Sequence, residues 1–301
     1  MITTEFTQDE FAAACGHDIL GTQLFTGWRL SRLYPAQIGT SSPENAVYTG
    51  GVFWVQRGER PQEDGNCNSS ADDAGLSGKT VRREVTAALG FTQMSVTLTA
   101  DEHADFDELR AFLHSIGCNH LECGARTAAG LDVDVVKTMY IQHRAADDTQ
   151  AHTLSAGRVL AELSALNAHF TMRQAYDLWQ AAGFGEYMSD YPDWLAIMSR
   201  KQKHALGEIY GLLEGETLLA AAAVFGRTER AAYLGGVAVR EELRGQGLGA
   251  AVADYAARHT GSSEFGNAFA AAELLCEEHN RGFYRKCGFA EAGRVVFAAI
   301  R

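Results

Sequence analysis

Residues 244–249, Arg-Gly-Gln-Gly-Leu-Gly, place three glycines among six residues. They lie between an apolar run, YLGGVAV, and a helix-forming run, AAVADYAARH. The first amides of a helix have no intrahelical partner and sit at the positive end of its macrodipole. Glycines leave those amides uncovered, and Arg244 adds a fixed positive charge. Arg244, Gly245, Gln246, Gly247, Leu248 and Gly249 are therefore a candidate site for phosphate or pyrophosphate oxygens. The competing reading is a glycine turn with nothing bound. A dinucleotide fingerprint is a poor match, because its third glycine would fall on Ala250.

Other residue groups carry less. SGKT at 77–80 lacks the upstream glycine of a P-loop, since position 73 is Asp. His114, Cys118, His120 and Cys123 lie close together, but a change from helix to strand runs between them. No metal is expected there. Cys276 and Cys287 have no evident His-Asp partnership that would activate a nucleophile.

The positioning elements follow from periodicity. VFWVQRG, MSVTLT, CNHLECG and DVVKTMYIQH read as strands, the first joined to AVYT across Gly50–Gly51. DFDELRAFLHSIG (105–117) is an amphipathic helix with Phe106, Leu109, Phe112, Leu113 and Ile116 on one face. Residues 59–80 are polar and turn-rich and read as a mobile loop. RAADDTQ (144–150) is unpatterned and is taken as the domain boundary. Beyond it come two helices, TMRQAYDLWQAAGFG and DYPDWLAIMSRKQKHA. Three strands follow, GEIYGLLEG, TLLAAAAVFG and RAAYLGGVAV. After the glycine loop come a helix, the strand AAELLCE, a helical turn NRGFYRKCG and a last strand RVVFAAI. The first half echoes part of this order.

The chain has 301 residues and 46% apolar content, enough for two folded domains. A formal charge of −12 argues against a nucleic-acid-binding surface. No basic-then-apolar leader and no long apolar run are evident, so neither secretion nor a membrane partner is expected. The scattered cysteines at 15, 67, 118, 123, 276 and 287 read as free thiols in a cytoplasmic protein.

VAVREELRGQGLGAAV resembles motif A of the GNAT N-acetyltransferase superfamily, Gln/Arg-x-x-Gly-x-Gly/Ala, with Arg244, Gly247 and Gly249 at its fixed positions. FYRKCGF (283–289) resembles the family's ending, an aromatic-Tyr followed by Gly-Phe. The resemblance covers roughly residues 150–301. It implies an α/β fold with a mixed sheet, in two tandem domains: 149–301 as the acetyltransferase and 1–148 as a degenerate copy. Acids at the strand-helix junction of that copy would repel pyrophosphate.

The resemblance further implies acetyl-CoA as co-substrate and no metal. Its diphosphate would rest on residues 244–249 and its pantetheine arm along Val237, Ala238 and Val239. That arm needs the strand to splay from AAELLCE, and Gly235–Gly236 are read as a bulge there. Tyr284 is the implied general acid for the departing thiolate, and backbone N–H near Val237 an oxyanion donor. The resemblance makes Asn280 the implied coenzyme-contacting Asn, although it lies four residues before Tyr284 rather than about seven. Glu208, Glu273, Glu278 and a water chain are alternative bases, since the strand carries no carboxylate. Tyr191 and Trp194, beside Tyr187, Asp190 and Asp193, are read as binding a primary amine of a small molecule or peptide. A homodimer is compatible with this organisation. The competing reading is a protein that binds acyl-CoA without chemistry.

Overall fold

The computed structural model describes residues 1–16, 19–33, 52–60, 82–92, 95–145, 154, 156–163, 169–228, 230–259 and 271–300. The SGKT motif, Gly50–Gly51, Cys67 and the boundary at 148/149 lie outside these residues. So does most of the expected loop at 59–80; its first two residues, Glu59 and Arg60, end a strand.

The first half runs β1 (Ile2–Thr3), α1 (Gln8–Cys15), α2 (Ile19–Leu33), β2 (Val52–Arg60), β3 (Arg82–Thr92), β4 (Ser95–Ala100), α3 (Phe106–Ser115), β5 (His120–Gly124), α4 (Ala125–Leu131) and β6 (Asp134–Ala145). The second runs β7 (Arg158–Glu162), α5 (Met172–Trp179), α6 (Tyr191–Lys203), β8 (Glu208–Glu214), β9 (Thr217–Arg227), β10 (Ala231–Val239), α7 (Leu248–His259), β11 (Ala271–Cys276), α8 (Arg281–Lys286) and β12 (Ala290–Ala299). A π turn over Gln180–Phe184 leads out of α5.

Local chemistry explains the helix ends. Thr171 and Gln174 form a reciprocal capping box on α5. Asp190 caps α6, with Pro192 in its first turn. Asp105 caps α3 by accepting from the Glu108 amide at 3.0 Å. The same kind of strand-helix junction that carries glycines in the second half thus carries a carboxylate in the first.

The strands form one sheet in the order β1-β2-β3-β4-β5-β12-β6-β11-β10-β9-β8-β7. Two pairs are parallel, β4 with β5 and β10 with β11, each bridged by a helix. The echo between the halves is therefore structural: antiparallel strands, a parallel pair, a short helix and a last strand. Those last strands are exchanged. β6 lies against β11 of the second half, and β12 against β5 of the first.

Helices α2, α5 and α6 cover one face of the sheet; α3, α4, α7 and α8 cover the other. β9 is alanine-rich and buried along most of its length, and α7 presents Ala251, Ala256 and Ala257 to the same core. Small side chains on both partners let the helix lie close to the strands.

The exchange is anchored by charge. Arg144 of β6, 1% exposed, donates to Asp254 of α7 at 2.6 Å and to the Cys287 carbonyl at 3.1 Å. Arg258 reaches the same carboxylate at 2.6 Å. Removing one partner of a buried pair strands the other charge. Asp254→Ala is accordingly expected to destabilise the fold by about 3–5 kcal/mol, measured by urea unfolding.

Candidate functional site

β10 pairs with β11 only from Ala231 to Tyr233, opposite Ala271 to Glu273. From there the two parallel strands separate, as the family resemblance implies. On its other edge β10 stays with β9 but gains one residue: Gly235 faces Ala223, whereas Ala238 faces Ala221. This is a β-bulge at Gly236 and Val237. Gly236 has φ +60°, and a side chain there would meet the Trp179 indole nitrogen at 2.9 Å. That indole N–H donates to the Gly236 carbonyl. The bulge is thus held by a tryptophan from α5, and only glycine satisfies both its backbone and its neighbour.

The glycine loop stands at the wide end of the separated strands. Gly245 and Gly247 have φ of +79° and +80°. Open space lies where their side chains would project. α7 starts at Leu248, with no acid in its first turn. Arg244 is exposed and forms no ion pair among the described residues. An uncovered helix start beside an exposed guanidinium is the chemistry of an anion cradle.

A cavity of about 1680 Å³ joins these parts. Val237, Ala238, Val239, Arg244, Gly245, Gly247, Leu248, Gly249, Asn280 and Tyr284 all line it; Gln246 does not. The unusual spacing of Asn280 reflects a short helix: it closes a 3-10 turn and directly precedes α8. Tyr284 is half-buried, and its ring meets Phe283 and Phe289 edge-on. Burial, then the neighbouring Cys276 and Cys287, pushes its phenol well above its ordinary pKa. Burial also raises Cys276 and Cys287 to about 11. All three groups keep their protons at neutral pH, which suits Tyr284 to donate one and disqualifies the thiols as nucleophiles.

The two aromatics expected to meet an amine do not line the cavity. Trp194 is buried, packed edge-on against Tyr176 and Trp179. Tyr191 stacks on Trp194 and carries the Arg173 guanidinium at 4.6 Å from its ring. The cation met by this aromatic group is the protein's own. The neighbouring segment contributes Trp179, Phe184 and Met188 to the wall instead. Glu208, Glu273 and Glu278 also stay out of the lining. Glu208 pairs with Arg227 and Tyr210, Glu273 with Arg230, and Glu278 with Arg281. Among the described residues, the carboxylates in the cavity lining are Glu122, which accepts from Thr97 Oγ1 at 3.4 Å, and Glu277, which pairs with Lys137 at 2.6 Å. Of the His/Cys group, Cys118 and Cys123 are buried beneath α3, while His114 and His120 are exposed.

Lys201 is a wall residue that sequence reading missed. It is 7% exposed, and its ammonium donates to the Phe225 carbonyl at 2.7 Å. Phe225 sits at a second register shift, between the pairs Tyr233–Gly226 and Leu234–Val224, so its carbonyl needs a partner from outside the ladder. Burial lowers the Lys201 pKa to about 8.

Comparison with known proteins agrees with this geometry. Residues 171–289 match the model of the acetyltransferase (GNAT) family. A GCN5-related N-acetyltransferase from Sphaerobacter thermophilus is 14% identical, with 100% of this chain and 96% of that one covered and a TM-score of 0.55. A Drosophila protein is 11% identical, with 98% and 97% covered and a TM-score of 0.59. A tandem GNAT protein from the clavulanic acid biosynthesis pathway is 13% identical, with 94% and 95% covered and a TM-score of 0.51. No curated protein matches the sequence. Residues 171–289 thus match a GNAT acetyltransferase domain, and the whole chain has a mixed α/β fold like that of the tandem GNAT protein.

Two outcomes test the geometry. Gly236→Ala forces a side chain into a left-handed position against Trp179 and should destabilise by about 1–3 kcal/mol in thermal unfolding. For Lys201, the folded pKa lies below the ordinary 10.5. The unfolded chain therefore holds more protons between about pH 8 and 10.5, and stability rises with pH in that window. Urea unfolding should show the wild-type protein gaining stability relative to Lys201→Met as pH rises. A constant difference would exclude burial as the cause.

Proposed function

We propose that the protein transfers an acetyl group from acetyl-CoA to a primary amine of a small molecule or peptide, by direct attack within a ternary complex. The observation that carries this reading is the splay of β10 from β11, ending at an uncovered glycine loop. An unpaired strand edge accepts a peptide-like arm, and an open helix start accepts a diphosphate. The coenzyme supplies the activated thioester; the chain's own residues supply position and protons.

In this reading the amides of residues 245–249 and the Arg244 guanidinium hold the diphosphate. Backbone groups of Val237, Ala238 and Val239 hold the pantetheine arm. Asn280 faces the same arm from the other side of the cleft. The N–H of Val237, in the bulge, donates to the oxygen on which negative charge develops. Tyr284 holds its proton at neutral pH and delivers it to the departing sulfur. The proton of the amine leaves to water, for which neither Tyr191 nor Trp194 is needed. The five described cysteines are buried and outside any disulfide, which suits a reducing compartment, and we assign the protein to the cytoplasm.

Calorimetry should detect acetyl-CoA binding to the purified protein, and absence of heat with any coenzyme A species would overturn the reading. Arg244→Ala should weaken that binding at least tenfold, the loss of a charge-assisted bond worth about 1.5–3 kcal/mol. Tyr284→Phe should lower kcat in a thiol-release assay by roughly 100-fold while leaving the coenzyme Kd unchanged. Unaltered kcat would remove Tyr284 from its role.

A further inference from the structure

The cavity does not end at the coenzyme cleft. The glycine loop and α7 stand on one face of the sheet. The cavity passes the gap between β10 and β11 and continues on the other face, under α2, α5 and α6. Three apolar clusters stop at its edge. Phe225 comes from the cluster around α5 and α6, Phe53 from the one around α1 and α2, and Leu275 and Phe297 from the one beneath α2. These four are only partly buried, so hydrocarbon and ring surface faces the void. Met139 adds to the floor, and Gly27 of α2 lies in the roof. α2 is fastened to the second half where Thr26 Oγ1 accepts from the Arg227 amide at 3.1 Å.

Among the described residues, the charged groups that line this face are already engaged. Glu122 accepts from Thr97 Oγ1 at 3.4 Å, Lys137 holds Glu277 at 2.6 Å, and the Lys201 ammonium donates to the Phe225 carbonyl at 2.7 Å. A molecule with many hydroxyls or charges would give up its water here for walls of hydrocarbon and for groups that already have partners, which costs free energy. An apolar body disturbs none of these pairs and gains by leaving water. From β10 to β12 is three strand spacings, which at about 4.8 Å each amounts to roughly 14 Å before the splay is added.

We propose that this passage selects the acceptor of the acetyl transfer argued above, and that the acceptor is a single primary amine on an elongated apolar body about as long as a decyl chain. The inference rests on the acetyl-transfer reading only for what happens at the amine. In that reading the coenzyme arm fills the gap between the strands, and an acetyl group is too short to enter the passage. The passage is thereby left as the approach from which a nucleophile meets the thioester. Apolar walls also favour the uncharged amine that the attack requires. Burial in the same wall brings the Lys201 ammonium down to about 8. The first half of the chain, which carries no glycine loop, gains a role of its own: α2 roofs the acceptor, and β6 carries part of its floor.

The test pairs binding with turnover. Decylamine, butylamine and spermine, a chain of similar reach that carries charge along its length, are titrated calorimetrically into protein saturated with coenzyme A. Thiol release from acetyl-CoA is followed with the same amines. Decylamine should bind at least tenfold more tightly than either of the others and show a correspondingly higher kcat/KM. Gly27→Phe fills the passage from a mid-helix position where a β-carbon has ordinary room, 3.6 Å from Phe53. Met139→Trp fills it from the floor. Each should bring decylamine down to the butylamine level, and an unchanged coenzyme A Kd identifies the variant as folded. Equal binding of decylamine and butylamine overturns the proposal, as does spermine binding as tightly as decylamine. A decylamine advantage that survives in both folded variants overturns it too. So does a preference for decanoyl-CoA over acetyl-CoA that Gly27→Phe abolishes, because the passage would then take the donor's tail. Tight decylamine binding that both variants abolish, accompanied by no thiol release, supports the passage and overturns the transfer chemistry instead.

Discussion

Two parallel strands that begin as hydrogen-bonded neighbours and then part are the constraint on which the site depends. A strand leaving its partner exposes a row of backbone donors and acceptors, and such groups are rarely left unmet inside a protein. On the side away from the gap, the extra residue at Gly236–Val237 turns β10 outward, and the Trp179 indole takes up the displaced carbonyl. A matching irregularity on β9 leaves the Phe225 carbonyl to Lys201. Both corrections come from helices α5 and α6, so these helices shape the cleft as much as they cover it. On the side toward the gap the groups of β10 stay available, and the glycine loop lies where the gap is widest.

The parting is sustained by what surrounds it. α7 lies close over alanine-rich strands, which fixes the position of its first turn. The buried Arg144–Asp254–Arg258 cluster ties that helix to β6, a strand from the other half of the chain. Such clusters add little net stability compared with a well-packed apolar core, but they tolerate few alternative arrangements. The cluster therefore specifies which strand lies beside β11.

Much of the second half was legible because its signals are local. Three successive apolar strands, a glycine-rich junction and an alanine-rich helix each occupy a short window, and Gly235–Gly236 marked the bulge correctly. The cavity-lining residues of β10 and the glycine loop lie in the same windows, Gln246 excepted. The aromatic-acidic segment at 185–194 misled because its composition fits an amine site and a capped, aromatic-cored helix equally well. Only packing shows that Trp194 is enclosed by Tyr176 and Trp179, and that Arg173 supplies the cation. Lys201 went unnoticed because SRKQK reads as a solvated stretch, although one lysine in it turns inward. In the first half, α1, α2, α4 and β3 were missed, as was β7 beyond it. In α2, glycine and threonine interrupt the apolar pattern at positions buried against neighbouring elements. The exchange of last strands leaves no mark in any window, since it is a choice between two partners of similar edge chemistry.

That exchange also sets a timetable. β12 occupies the slot between β5 and β6, so the first half's sheet has no continuous centre until residues 290–299 are in place. During synthesis β5 must wait with an open edge while the entire second half is made. A chain built this way gains its middle last, and its two halves mature as one unit rather than as beads added in turn.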